Sequence, residues 1–536
     1  MLYTVSGIAM WPRWWNACNM KDELSQANLL ILFSILIIFG FLCTIKKSRN
    51  VAASLPPGPR GLPFVGYLPF LGTDLHRAFT GLSRVYGPIY KLWLGNKLCV
   101  VLSSPSLVKE VVKDQDSIFA NRSPSIAAIA VTFGGNDIAF SSYGPEWRKL
   151  RKIFVHQMLG SSSLDACYDL RSQEVKKSIS DVHNKIGVPI NIGQLAFSTA
   201  INAITSMLCG GILQGEMETN FGAEFQGVVT ELMVLLGKPN VSDFFPMLAR
   251  FDMQGIERKT KKIALWCDRI LSSAIDKRLN ANANAVTKKG AGKIEQRKDF
   301  LKFLLDLKEN DDDAKSITLS QLKALLMDIM IGGTDTTSTA VEWVMAEMLQ
   351  HPNVMKRVQE ELTEVVGLDN RVEESHLPQL HYLVAVVKET LRLHPPLPLL
   401  VPHCPSQSSV VGGYTIPKGA SIFLNVWAIH RDPEIWNTPL EFQPERFLND
   451  SKKLDFSGNN FVYLTFGSGR RVCAGLPLAE RMLMYILASF LHSFEWELPN
   501  GTKLEFAERF GIVLKKMRPL VATPSPRLSN SKLYTL

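Results

Sequence analysis

The stretch Phe466 to Gly475, Phe-Gly-Ser-Gly-Arg-Arg-Val-Cys-Ala-Gly, carries the most distinctive chemistry in the chain. Its thiol, Cys473, lies between Gly469 and Gly475 and follows Arg470 and Arg471. An apolar helix is expected to begin directly after it, at Leu476. A thiol at a helix N-terminus beside guanidinium groups has its anion stabilised by the dipole and by the charges. A thiolate is a soft, strongly donating ligand for iron. The two glycines permit backbone conformations and close approaches that a side chain forbids. A lone cysteine is by itself more often an inert buried residue, so the spacing of the whole stretch carries the signal.

A second constellation is Gly332-Gly333-Thr334-Asp335-Thr336-Thr337-Ser338. Thr318-x-x-Gln321 reads as a capping box and Pro352 as a stop, which predicts one helix from Leu319 to His351, roughly 50 Å long. Two glycines in its middle cost about 1 kcal/mol each relative to alanine. They point to a local opening that makes room for a ligand. Asp335 and Thr336 can pass protons together with water. Trp147 and Arg151 share a helix face. Glu389 and Arg392 form an i,i+3 pair on a helix that ends at His394-Pro395-Pro396.

The 536 residues, 46% apolar and 20% charged, suffice for a large core. Eight cysteines without a C-x-x-C pair read as reduced thiols, neither a disulfide framework nor a zinc site. The net charge of +9 is spread along the chain without a basic-aromatic stripe. That argues against nucleic acid and suits a membrane surface or an acidic partner. Ala27 to Ile45 has no charged residue and is long enough to cross a bilayer. Lys46, Lys47 and Arg49 then place the remainder in the cytosol. The sequons at Asn121, Asn240 and Asn500 accordingly stay unmodified. Leu55-Pro-Pro-Gly-Pro59 is a stiff connector. Residues 86–104 read as two strands about Gly95-Asn96, and 105–115 as a short helix. The segment 120–140 reads as a loop and 160–280 as mostly helical. Residues 281–298 read as an exposed loop, 414–426 as a hairpin about Pro417-Lys418-Gly419, and 508–513 as the last strand pair.

The spacing Phe466-x-x-Gly469-x-Arg471-x-Cys473-x-Gly475 resembles the haem-binding loop of the haem-thiolate monooxygenases, the cytochrome P450 family. Five motifs follow the family's order over residues 55 to 520. The resemblance implies a mainly α fold with a small β-rich lobe, organised as a lumenal segment 1–26, an anchor 27–45, a basic and proline-rich hinge 46–66 and a catalytic domain 67–536. It implies haem b with Cys473 on the metal, and Phe466, Gly469, Arg471, Gly475, Trp147, Arg151 and His403 around the cofactor. Asp335 and Thr336 correspond to the oxygen-activation motif. Glu389, Arg392 and Arg446 correspond to a buried network beneath the haem loop. Electrons would come from NADPH through NADPH-cytochrome P450 reductase, at the endoplasmic-reticulum membrane, with O2 and a lipophilic small molecule as substrates. The apolar residues Ile126, Ile129, Phe133, Ile331, Leu400, Val401 and Phe510 are expected to line the substrate pocket. The segments Leu-Val-Pro-His-Cys-Pro and Val-Gly-Gly-Tyr-Thr-Ile-Pro-Lys are most similar to a plant group that includes sesquiterpene oxidases. This favours hydroxylation of a terpenoid, such as a valencene-like hydrocarbon. A flavonoid or phenolic ring hydroxylase is the alternative. Remoter readings are a haem-thiolate isomerase or dehydratase and a non-catalytic haem or lipid binder.

Overall fold

The computed structural model describes residues 55–210, 221–287, 299–309, 316–448 and 454–535. The expected anchor at 27–45 and the basic start of the hinge lie outside them. From Leu55 onward the proline segment is docked. Lys91 donates its backbone N–H to Pro57 O at 2.8 Å and its Nζ to Pro56 O at 2.5 Å. Proline lacks a donor but its carbonyl still accepts, so the segment lies along the first strand.

Helix α1 (Leu75–Tyr86) precedes strands β1 (Ile89–Leu94) and β2 (Lys97–Leu102), which pair antiparallel about Gly95 at φ 55°. That positive φ is what an Asn- or Gly-containing two-residue hairpin demands. The helix expected at 105–115 is an α-turn, Pro105–Lys109, continued by a wider π-turn, Glu110–Asp114. Within 120–140, expected to be loop throughout, Ile126–Val131 forms the short helix α2. Ser125 caps it by accepting from Ala128 N, and it packs on a later helix. A six-residue helix is too short for its period to show in sequence.

Helices α3 (Pro145–Lys152) and α4 (Tyr168–His183), strand β3 (Ile190–Asn191), and helices α5 (Ile192–Cys209), α6 (Phe221–Gly237) and α7 (Ile256–Thr287) follow. Helix α5 is apolar and long enough to cross a membrane, yet 67% of it is buried inside the fold, as a core helix should be. Helix α7 continues to Thr287, through the first part of the loop expected at 281–298, and the rest lies outside the described residues. The alanines alternating with asparagine there keep the helix going despite its polarity.

Helix α8 (Leu319–Gln350) is the expected long helix, with both hydrogen bonds of the Thr318/Gln321 capping box formed. Pro352 opens the next helix, α9 (Pro352–Val366), so the chain turns at His351. Helix α10 (His381–Leu393) ends before the two prolines. Helices α5, α10 and α11 (Leu476–Ser493) pack around α8, whose side chains from Ala340 to Met348 are all buried. Burial of this kind supplies the main favourable term, about 25 cal/mol per Å² of apolar surface.

The sheets gather at the edges. Strand β4 (Ser409–Val411) pairs with β5 (Tyr414–Ile416), and β6 (Ser421–Leu424) lies parallel to β2. The hairpin expected about Pro417-Lys418-Gly419 is therefore displaced. The tight turn is at Gly412 and Gly413, both with positive φ, and the chain then leaves to extend the β1–β2 sheet. Two adjacent glycines satisfy such a turn better than a proline-containing triplet. Strand β7 (Phe494–Glu497) pairs with β10 (Val521–Pro526), which also pairs with β3. The strand pair expected within 508–513 is displaced: β8 (Glu508–Arg509) pairs with β9 (Lys515–Lys516), and residues 510–514 form the connection between them.

Candidate active site

A cavity of about 300 Å³ lies between the middle of α8 and the segment that precedes α11. Cys473, Gly475, Phe466, Arg471, Arg122, Arg151, His403 and the α8 residues Asp328, Gly332, Gly333, Thr336 and Thr337 border it. Its remaining walls are largely apolar, with Ile329, Phe154, Leu159, Leu397, Leu400 and Val401 among them.

The thiol segment is held by its own backbone. Cys473 N donates to Phe466 O at 2.9 Å, and Val472 N to Gly469 O at 3.1 Å. Gly467 and Gly469 both have positive φ, 73° and 66°. At Gly469 a Cβ would stand 2.2 Å from Val112 O, so only glycine fits. Gly475, by contrast, has an ordinary φ of −86°, and its missing side chain leaves space beside the sulfur. Cys473 opens onto the cavity while packed away from outer solvent. Burial pushes its thiol upward, outweighing the Gly475 and Leu476 amides and the Arg151 charge that pull it down. The helix-end amides and a guanidinium do favour the anion as expected, but the charge that acts is Arg151's and burial outweighs them together. A cation bound to the sulfur supplies what they lack.

Trp147 anchors the cationic wall. Its ring lies 4.2 Å from the Arg471 guanidinium carbon and 5.4 Å from that of Arg151. Its indole N–H donates to Ile138 O at 3.0 Å. Arg471 donates to Ala120 O, Ile138 O and Ser141 O, and Arg151 to Val472 O. Arg122 donates to Val401 O and Pro402 O. His403 Nδ1 lies 3.0 Å from Phe119 O, and burial beside Arg122 drives its pKa well down, so it is neutral. Burial and the neighbouring Arg151 push Arg471 down to about 10. Three largely buried guanidinium groups border this cavity with no carboxylate in ion-pair contact among the described residues. This is an arrangement that calls for an anionic ligand.

On α8 the two glycines have different reasons. A Cβ at Gly332 would meet nothing within 4 Å, so this position faces open space, whereas one at Gly333 would stand 2.7 Å from Ile204 on α5. The expected local opening is absent as a break: the helix is continuous through Ser338. Thr336 borders the cavity and donates to Gly332 O at 2.5 Å. Asp335 does not border it. It is 1% exposed, Lys515 Nζ donates to its Oδ1, and its Oδ2 has no partner. Burial raises its pKa against the pull of Lys515.

Beneath the thiol segment, Glu389 and Arg392 are fully buried and joined by two hydrogen bonds of 2.8 and 2.7 Å. Arg446 Nε reaches Glu389 Oε1 at 3.2 Å, completing the three-way contact. Arg392 also donates to His430 O and Pro439 O, both at 2.7 Å. His430 in turn accepts from Leu464 N at 3.0 Å, two residues before Phe466.

Of the seven residues expected to line the substrate pocket, Leu400 and Val401 border the cavity. Leu400 does so at a strained φ of 49°. The other five do not. Ile126 caps into Asp243 through its amide, Ile129 is 43% exposed, and Phe133 and Ile331 pack against the main core. Phe510 stacks on His76 at 5.4 Å. Apolar character marks these residues as buried somewhere, but which face of α8 or of the last strand pair borders the cavity is fixed by packing. Conversely, Asp328 and Arg122 went unnoticed. Asp328 sits at i−4 and i−8 from Gly332 and Thr336, a helical spacing that marks it as facing the same way.

A thiol, a glycine-lined helix face and unpaired guanidinium groups together fit an iron porphyrin: sulfur for the metal, a flat open wall for the ring, cations for its carboxylates. The cytochrome P450 family model matches residues 56–522, and the chain belongs to that family. It is a monooxygenase whose prosthetic group is haem, with electrons derived from NADPH through a reductase. Among relatives it is 39% identical over 506 residues to flavonoid 3'-monooxygenase of Arabidopsis thaliana, covering 93% of this chain and 96% of that one. It is 38% identical over 514 residues to carnosic acid synthase of Rosmarinus officinalis, covering 93% and 99%. A zebra fish cytochrome P450 structure with abiraterone aligns with a TM-score of 0.70 at 28% identity, covering 85% of this chain and all of that one.

Proposed function

We propose that this protein hydroxylates the aromatic ring of a flavonoid or related phenolic. The observation that carries the reading is near-full-length similarity to flavonoid 3'-monooxygenases of Arabidopsis and Petunia hybrida, at 39% and 37% identity. The terpenoid reading rested on the likeness of the segments Leu-Val-Pro-His-Cys-Pro and Val-Gly-Gly-Tyr-Thr-Ile-Pro-Lys to a group that includes sesquiterpene oxidases, a local signal that the near-full-length similarity outweighs. The cavity supports the phenolic reading because polar groups reach it from α8, at Asp328 and Thr337.

Haem bound at Cys473 supplies the activation of dioxygen. Arg122, Arg151 and Arg471 would hold its carboxylates, with neutral His403 beside them. Gly332 leaves open space on the α8 wall that the group would face. Thr336 holds a proton at Oγ1 on the cavity wall and passes it by way of water. Asp335, turned away and tied to Lys515, acts behind Thr336. The Glu389–Arg392–Arg446 contact fixes the segment that carries the sulfur. The segment 27–45 anchors the chain in the endoplasmic-reticulum membrane, 46–66 is the hinge, and 67–536 is the cytosolic catalytic part. The NADPH-cytochrome P450 reductase docks on the basic surface around Arg470, whose side chain is 48% exposed.

The test uses membranes containing the full chain, reductase and NADPH, offered flavanones in one arm and valencene-like hydrocarbons in the other, with products read by mass spectrometry. A flavanone gaining one oxygen on its pendant ring supports the reading. Turnover of the hydrocarbon with none of any flavanone overturns it.

A further inference from the structure

Asp328 is a cavity-facing carboxyl that the oxygen chemistry does not use. It lies on α8 eight residues before Thr336 and four before Gly332, all three bordering the cavity. Eight residues span about 12 Å along a helix. Its Oδ2 accepts from Ile138 N at 2.9 Å. Among the described residues Oδ1 makes no hydrogen bond, so that oxygen is left for whatever enters the cavity. A second buried carboxylate, Asp137, braces the same loop by accepting from Ala139 N and Phe140 N. The Ile138 carbonyl takes the Trp147 and Arg471 donors, so the loop that positions Asp328 is fixed from both sides. Arg122 and His403 border the same cavity, and Arg122 donates to Val401 O, Pro402 O and Ala139 O. Burial first, then repulsion from Asp137, holds the Asp328 carboxyl well above the usual range. A neutral carboxyl whose Oδ2 accepts an amide carries its proton on Oδ1 and donates.

We propose that Asp328 is a specificity-determining residue that donates a hydrogen bond from Oδ1 to an oxygen on the fused-ring end of a flavonoid, directing the pendant ring toward Thr336 and Cys473. This rests on the flavonoid reading above. The separation between Asp328 and Thr336 matches what a flavonoid spans from the hydroxyl of its fused rings to its pendant ring. A buried donor left without an acceptor is penalised more than a satisfied one is rewarded, so the discrimination falls on ligands that lack the oxygen. A hydrocarbon substrate has no atom to meet Asp328.

The test compares two probes with the haem-loaded full-length protein: a flavanone with hydroxyls at both ends, and the same flavanone lacking the fused-ring hydroxyl. Dissociation constants come from the ligand-induced change in haem absorption, and kcat and KM from turnover with reductase. The wild type is expected to prefer the doubly hydroxylated probe by about tenfold. Asp328→Leu brings the ratio of the two probes close to one, in the dissociation constants and in KM alike. Asp328→Asn, which keeps an acceptor for Ile138 N and a donor for the ligand, retains most of it. If the leucine variant does not load haem, Asp328→Ala reads the same ratio with a smaller side chain. A ratio unchanged in Leu or Ala, or abolished in Asn, overturns the assignment while the flavonoid reading stands. Wild type that binds neither probe overturns both.

Discussion

Thr336 and Asp335 are neighbours in sequence with different surroundings, and their variants should separate. Thr336→Ala removes the only hydroxyl of the pair that borders the cavity. Product per NADPH consumed should fall, by on the order of a hundredfold, while NADPH oxidation continues and the carbon-monoxide spectrum is unchanged. Product and NADPH measured together check this, and equal loss of both would assign Thr336 to binding instead. Lys515→Met acts through stability. It leaves the buried Asp335 carboxylate without its counter-ion, a loss of about 3 kcal/mol at neutral pH. Without the lysine the folded pKa of Asp335 rises further above its unfolded value, so the deficit shrinks as pH falls and Asp335 takes up a proton. Apparent melting temperatures at neutral and mildly acid pH check the sign. The residues of this site were legible where spacing is bound to chemistry, at Cys473, Gly469, Arg471 and Thr336. Asp335 was legible as a residue type, but its orientation was not, because Lys515 lies 180 residues away. Asp328 was passed over because an acid on a long helix is ordinarily a solvated one.

The element that carries the sulfur is braced from below, through α10 and His430. Glu389→Ala strands the fully buried Arg392 charge and should cost about 3–5 kcal/mol, with haem lost during purification. Arg392→Lys should not rescue, since one ammonium cannot make the two parallel bonds to Glu389 together with those to His430 O and Pro439 O. Haem content per chain reads both. His430 adds a pH dependence. Its pKa is lowered from 6.5 to about 3 by burial and by Arg392 and Arg431. Between those values the unfolded chain binds a proton that the folded one does not. Stability is therefore lost as pH falls through this window, by up to about 1.4 kcal/mol per pH unit. Apparent melting temperatures at pH 6.5 and 4.5 should converge in His430→Gln relative to wild type, and an unchanged difference would show that other groups carry the acid sensitivity. At this scale the sequence spoke clearly where local signals agree: the capped α8, the β1–β2 turn, the start of α11 at Leu476 with Pro477 in its first turn. It misled where tertiary packing decides. Helix α2 is six residues held by one cap and its contact with α7, and β6 leaves its expected partner to join β2 across more than 300 residues of chain.

At the scale of the molecule, two exposed apolar segments converge on one turn. Gly95 N donates to Val65 O and Asn96 N donates to Phe244 O, so the β1–β2 turn holds the end of the proposed hinge and the residues just after it beside the segment that follows α6. Leu62, Phe64 and Phe70 are exposed on the first segment, and Met247, Phe251 and Met253 on the second, with Met247 at 88%. Two exposed apolar segments held side by side fit partial burial in a bilayer surface better than exposure to solvent. Burying each side chain contributes up to about 1.5–3 kcal/mol, so four or more suffice for association without a spanning helix. A chain lacking residues 1–54 should therefore keep its carbon-monoxide spectrum yet still sediment in part with lipid vesicles, and do so in high salt. Replacing Phe64, Met247, Phe251 and Met253 with serine in that truncated chain should release it to the supernatant. Vesicle sedimentation of both proteins, with the spectrum as the check on folding, decides it. Release of the first by salt alone would assign the residual binding to the +9 charge instead of to these side chains.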